Sequence, residues 1–180
     1  MSRNHAMPVL QSVRSMIVGA ACCVTAWGVS AQGLSGVITG QIVSTSPVYH
    51  RTSDRQSAGT YAASSNLAVP YAVHEIRMPA NGSVQVVVDN TTPFDSFLAL
   101  YSSFNPANPQ AGLLAADDDS AGYPHARLNV SGLRAATSYW LVIGSYSNQA
   151  DAVYPPYGTY SVNVTVRPID LTPTMLLLLN

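Results

Sequence analysis

The sequence predicts an all-β fold, an antiparallel β-sandwich, and three observations lead to that prediction. Residues 159–166 (TYSVNVTV) alternate strictly between apolar and polar side chains, and residues 83–89 (SVQVVVD) repeat the pattern with Val84, Val86 and Val88 on one face. Such alternation places one face of a strand against a core and the other face in water. Turn-forming residues separate these runs, and no segment has the 3.6-residue period of an amphipathic helix. Short strands at near-regular spacing with polar turns are typical of an antiparallel sandwich.

Seven strands follow from these patterns. They are expected at residues 37–43, 69–78, 83–89, 94–101, 126–130, 138–144 and 159–166. Asn81-Gly82 before the third of them predicts a tight turn with positive φ. The inward-facing positions of these strands give a predicted core made of Val84, Val86, Val88, Leu98, Leu100, Leu128, Leu141, Ile143, Tyr160, Val162 and Val164.

The N-terminus has the three parts of a secretory signal peptide. Arg3 and Arg14 precede an apolar run at residues 16–27, and small residues follow up to Ala31. We therefore expect residues 1–31 to be a signal peptide, 32–167 the β-sandwich, and 168–180 a short apolar tail of undetermined role. A buried N-terminal helix and lipoprotein processing at Cys22 are the alternatives, but no amphipathic stripe is present and Gly19-Ala20-Ala21 lacks the usual leucine.

Composition limits the classes of function. Both cysteines lie in the signal segment, so the mature chain is expected to contain no disulfide, catalytic thiol or zinc-thiolate site. After Ala31, six arginines against nine carboxylates leave a net charge of −3, without any lysine. No basic patch exists for nucleic acid, and no apolar run of the mature chain reaches the roughly 20 residues of a transmembrane helix. An exported, periplasmic or secreted domain fits this composition.

The most concentrated charge is the acidic run Asp117-Asp118-Asp119. Adjacent carboxylates repel one another and favour a hard cation, and Asp117, Asp119 and Gly122 match the opening of a calcium loop. Ala121 and Leu128 stand where that loop needs further ligands, so the run is not an EF-hand. Two interpretations stay open: a structural calcium held by Asp117 and Asp119 with Asp95, or a solvated acidic turn that caps backbone amides.

No catalytic motif is visible. His50, His74 and His125 are far apart, no G-x-S-x-G elbow occurs, and Glu75 is the only glutamate. A small hydrolase with an Asp/His site is kept as an alternative, which would require a histidine to meet a carboxylate and a serine in one pocket.

Tyrosine is abundant, with ten residues in the chain. Four of them fall in predicted loops, where rings with a polar tip can anchor a sugar or a peptide, or can close the ends of the sandwich. These candidate binding residues are Tyr123, Tyr146, Tyr154 and Tyr157.

From Phe94 to Val166 the sequence contains an Asp-Ser-x-Leu-x-Leu strand, an aspartate turn, a strand with Tyr139 and Val142, and a closing strand with Gly158, Tyr160 and Val162. This order of motifs resembles the bacterial pre-peptidase C-terminal domain. At the third motif Ala136-Thr137-Ser138 replaces the usual glycine turn. The matching residues are Asp95, Ser96, Leu98, Leu100, Asp117, Asp118, Asp119, Tyr139, Val142, Gly158, Tyr160 and Val162.

The resemblance implies a jelly-roll-like sandwich of the kind appended to secreted peptidases, with relatives that bind collagen and hold calcium. This chain carries no peptidase, so it resembles the accessory module alone. We therefore expect a non-catalytic module that attaches to an extracellular protein or polysaccharide. No cofactor is expected apart from structural calcium. A surface-assembly subunit, which would need an unpaired edge strand, is the third hypothesis.

Overall fold

The computed structural model describes residues 35–52, 67–149 and 153–169. This part of the chain folds into antiparallel strands and contains no helix, so it offers none that could span a membrane. The expected signal peptide and residues 170–180 of the apolar tail lie outside the described residues. The strands are β1 (Ser35–Gln41), β2 (Val48–His50), β3 (Ala68–Arg77), β4 (Gly82–Val88), β5 (Ser96–Tyr101), β6 (Leu113–Asp117), β7 (Arg127–Leu133), β8 (Ser138–Ser145) and β9 (Thr159–Pro168).

The strands form two sheets, which confirms the all-β antiparallel sandwich. One sheet has four strands in the order β1-β9-β4-β7, and the other has five in the order β2-β3-β8-β5-β6. The seven expected strands are all present, with ends shifted by a few residues. Strands β2 and β6 were not predicted, because short edge strands carry too little alternation to be recognised.

The core between the sheets contains all eleven residues predicted for it. Strand β4 alternates buried and half-buried positions along its whole length, and β9 alternates up to Val166. The inward side chains of both sheets interdigitate with Phe94, Ile42 and Met78, which are fully buried. Apolar burial of this kind is the main stabilising contribution in a domain without disulfides.

A second apolar layer covers part of the outer face of the five-stranded sheet, while Val73 and Glu75 on β3 are exposed there. All six residues of β5 are buried, because Phe97, Ala99 and Tyr101 are as enclosed as Leu98 and Leu100 on the inner face. Phe104, from the connection after β5, lies with its ring 5.0–5.7 Å from the rings of Tyr49, Tyr71 and Tyr101. The wet outer face expected from the patterns of β4 and β9 is confirmed on the four-stranded sheet. The outer apolar layer of the five-stranded sheet was not predicted.

Two glycines lie where a side chain would collide, Gly82 against backbone and Gly40 against a tyrosine side chain. A Cβ on Gly82 would lie 2.2 Å from the carbonyl oxygen of Arg167, and one on Gly40 would lie 2.2 Å from the hydroxyl of Tyr160. Gly82 does not have positive φ, so the predicted Asn81-Gly82 turn is wrong in its geometry. Asn81 instead accepts the Ala135 amide on its side-chain oxygen at 2.8 Å, which joins two connections at that end of the sandwich.

Candidate functional site

One end of the sandwich gathers the loops that the sequence singled out. Strand β8 finishes at Ser145 opposite Ser96, where β5 begins, and β6 finishes at Asp117 opposite Leu98. The connections between the two sheets at residues 89–95 and 118–126, and the described residues 146–149 and 153–158 of a third connection, lie here. We call these three connections, together with Arg51, the tyrosine end.

All four tyrosines proposed for binding lie at the tyrosine end. Tyr123 is 65% exposed and packs edge-on against Tyr154, with ring centroids 5.7 Å apart, although 31 residues separate them in sequence. Tyr157 is also exposed and precedes β9 by two residues. The structure therefore joins two predicted residues in an aromatic pair and keeps a third at the same end.

Tyr146 has a different environment, set by a buried arginine. The Arg51 guanidinium lies 4.1 Å from the ring centroid of Tyr146 and 4.8 Å from that of Phe97. Its Nε donates to the Tyr146 carbonyl at 2.9 Å, and its Nη1 donates to the Thr52 carbonyl at 3.0 Å. Arg51 is the one charged side chain among the buried residues of the described part. It fastens the loop after β8 to the outer face of the five-stranded sheet, a role that no local sequence signal indicates.

The turn at residues 118–126 is anchored through Ser96. The Ser96 amide and hydroxyl both donate to the carbonyl of Pro124, at 3.0 and 3.3 Å, and the hydroxyl accepts the Ala126 amide at 3.0 Å. The Tyr123–Pro124 peptide bond is cis. Ser96 is fully buried, so this network holds the segment that presents Tyr123 in a fixed position.

The acidic run makes the backbone contacts expected of a capping turn. Asp117 accepts the Ser120 amide at 3.0 Å, the Ser120 hydroxyl at 2.5 Å and the Arg127 amide at 2.8 Å. Its carboxylate thus ties the end of β6 to the start of β7. Partial burial, followed by the charges of Asp118 and Asp117, raises the pKa of Asp119.

Asp95 is the third residue of the calcium hypothesis. It precedes β5 instead of lying within it, and its carbonyl accepts the Tyr146 amide at 2.9 Å. Within the described residues, no three His, Cys, Asp or Glu side chains are grouped so that they could hold a metal ion. Calcium bound by Asp117, Asp119 and Asp95 stays a prediction.

Replacing Asp117 by Ala is expected to lower the free energy of unfolding by about 1–3 kcal/mol, because three donors lose a charged acceptor. Urea denaturation measures this change, with Glu75→Gln as a control that removes a negative charge from another part of the sandwich. A loss no larger than that of Glu75→Gln would show that the contacts of Asp117 do not stabilise the turn.

Melting of the wild type and of Asp119→Asn distinguishes capping from calcium binding. Calcium predicts a melting temperature several degrees higher in millimolar calcium than in chelator, and Asp119→Asn would remove that difference. Equal melting temperatures would leave the run with its capping role alone.

The histidines lie in three separate environments. His74 lies between the sheets, where its Nε2 is 2.7 Å from the Tyr160 hydroxyl, and burial lowers the pKa of His74 and raises that of Tyr160 to about 12. Burial also lowers the pKa of His125, while the nearby Asp89 carboxylate opposes that effect. His50 is exposed at the end of β2.

Two cavities on the surface of the described part lie away from these side chains. One is lined by Asn81, Leu133, Arg134 and Ile169 at the opposite end, and the other by Gln85, Asn129 and Arg167 on the outer face of the four-stranded sheet. Neither lining includes a histidine or a carboxylate. The arrangement required by the hydrolase alternative is not found in either cavity.

Comparisons with known proteins are sparse. No family model and no curated protein matches the chain. Among solved structures, the K3 cleaved adhesin domain of Lys-gingipain from Porphyromonas gingivalis W83 is similar over 57% of this chain and 67% of that one, at 17% identity and a TM-score of 0.30.

At the position where the resemblance expects a glycine turn, Ala136 has a positive φ of 55°.

Proposed function

We propose that this chain is an exported, non-catalytic β-sandwich module that attaches to an extracellular protein or polysaccharide through the tyrosine end. The observation that carries the proposal is the edge-on pair of the exposed Tyr123 and the half-buried Tyr154, which come from separate loops at one end of the sandwich. Aromatic rings with a polar tip supply much contact area at a small loss of side-chain entropy, which makes them frequent anchors in binding sites.

The architecture around the tyrosines supports a binding surface more than an active site. Ser96 and Arg51 hold the loops in fixed positions, so that little conformational entropy would be lost when a partner binds. The exposed rings lie beside a run of carboxylates, and this combination suits hydroxyl-rich sugars and basic peptides. The signal-like N-terminus and the resemblance to pre-peptidase C-terminal domains agree with a secreted or periplasmic accessory role.

Replacing Tyr123 by Ala is expected to weaken attachment about tenfold or more, as is typical of a central aromatic anchor. The probes are immobilised cellulose, chitin and collagen, and the measurement is the fraction of purified protein retained as a function of its concentration. Asn163→Ala, an exposed change on the outer face of β9, is the matched control and should bind like the wild type.

Two results would contradict the proposal. One is attachment that is lost in Asn163→Ala and retained in Tyr123→Ala, which would place the binding surface on the four-stranded sheet. The other is release of soluble sugar or peptide by the purified chain, which would favour the hydrolase alternative.

A further inference from the structure

Each sheet of the sandwich has two edge strands, whose outer backbone groups have no partner in the sheet. The edges are β1 and β7 in the four-stranded sheet, and β2 and β6 in the five-stranded sheet. An exposed edge can pair with another extended strand, so proteins usually interrupt or shorten it.

Three of the four edges carry such a feature. Strand β2 is three residues long and follows Pro47. The pairing of β6 with β5 is shifted between Leu100 and Tyr101. Strand β7 has an irregularity opposite Gly82 and Val84, and the Asp117 carboxylate accepts the amide of its first residue, Arg127.

Strand β1 has none of these features. Its seven residues pair with β9 without a break, from Ser35 opposite Thr165 to Gln41 opposite Thr159. It contains no proline and no charged residue, and Val37 is 62% exposed on its outer face. Within the described residues, β9 is its only partner.

The hydrogen-bond direction identifies the groups at this free edge. The Ile42 amide donates to the Gly158 carbonyl at 2.9 Å, in continuation of the β1–β9 register. Because antiparallel partners alternate between bonded and non-bonded pairs, the even-numbered residues bond to β9. The amides and carbonyls of Val37, Thr39 and Gln41 therefore point away from the sheet.

The sequence of β1 is self-complementary when it is reversed about Ile38. In antiparallel pairing with a copy of itself, Gly36 faces Gly40, Val37 faces the similarly shaped Thr39, and Ile38 faces its own copy. This register also sets odd-numbered residues opposite odd-numbered residues, which is the condition for hydrogen bonds across the free edge.

We propose that β1 pairs with β1 of a second copy of this chain, antiparallel and centred on Ile38. The two four-stranded sheets then become one continuous sheet across a two-fold axis, a self-complementary contact of the kind that closes a dimer. Ile38 already packs against the core between the sheets, and its copy covers it on the axis. No charge on β1 opposes the contact.

The test compares two double variants that differ only at residue 39. Val37→Lys with Thr39→Lys sets two positive charges opposite each other in every 37–39 pair, whereas Val37→Lys with Thr39→Glu sets opposite charges there. Sedimentation velocity on the full chain, as purified at micromolar concentrations, measures the mass. We expect two chains for the wild type, one for the double-lysine variant, and two for the lysine–glutamate variant.

Several results would overturn the proposal. A wild type with the mass of one chain would exclude the dimer, and a double-lysine variant that remains dimeric would exclude β1 as its interface. A lysine–glutamate variant that is monomeric would exclude the register centred on Ile38. A single-chain wild type that becomes dimeric on removal of residues 170–180 would show that the chain's own C-terminus covers β1. Circular dichroism checks folding. An unfolded double-lysine variant would also count against the proposal, because both positions are exposed.

Discussion

Replacing Leu141 by Asp is expected to prevent the chain from folding. Leu141 is fully buried on β8, between β3 and β5 in the five-stranded sheet, and packs in the core between the sheets. An unpaired carboxylate there loses its hydration without gaining a partner, at a cost comparable to the 5–15 kcal/mol that stabilises a typical domain. Circular dichroism and the yield of soluble protein measure the effect.

A neighbouring pair of residues provides the matched control for that experiment. Val162 is fully buried on β9, whereas Asn163 is exposed on the opposite face. Val162→Asp should fail to fold like Leu141→Asp. Asn163→Asp should fold with only a small loss of stability, because its new carboxylate replaces an amide that hydrogen-bonds the Asp89 carboxylate. A soluble Leu141→Asp protein with a cooperative melt would show that the register of β8 is wrong.

Replacing Phe97 by Ala is expected to lower the free energy of unfolding by about 3–5 kcal/mol, as for a large side chain in a core. Phe97 points to the outer face of its sheet, yet it is fully buried and lies beneath the Arg51 guanidinium. The decrease in the free energy of unfolding therefore reports how much the second apolar layer stabilises the domain. Urea denaturation measures that decrease.

Val87→Ala is the control for Phe97→Ala, because Val87 lies on the outer face of the other sheet and is only half-buried. It should cost no more than about 1 kcal/mol. Equal decreases in the free energy of unfolding in the two variants would mean that the outer faces of the two sheets are equally buried, contrary to the structure.

The sequence predicts the core between the sheets well, and the reason is local. In β4 and β9 the outward-facing side chains are polar apart from Val87, so the alternation identifies the buried face without knowledge of strand order. Strand β5 (SFLALY) is apolar on both faces, which is the pattern of a strand buried on both sides. Single-face alternation misses the outer layer, although the continuous apolar run indicates it.

The candidate site was predictable only in its parts. The tyrosines could be assigned to loops, but their meeting at one end depends on which strands pair, and that information is nonlocal. Tyr123 and Tyr154 come together because the connections after β6 and β8 leave the sandwich at the same end. The burial of Arg51 likewise depends on Phe97 and Tyr146, which are far from it in sequence.

Hydrogen–deuterium exchange of the chain, free and bound to whichever of the tested polymers retains it, examines attachment through the tyrosine end most directly. We expect slower exchange on binding at the amides of residues 121–125 and 153–158, with β1 and β4 unchanged. Protection confined to the four-stranded sheet, with the tyrosine loops exchanging as in the free protein, would contradict the account.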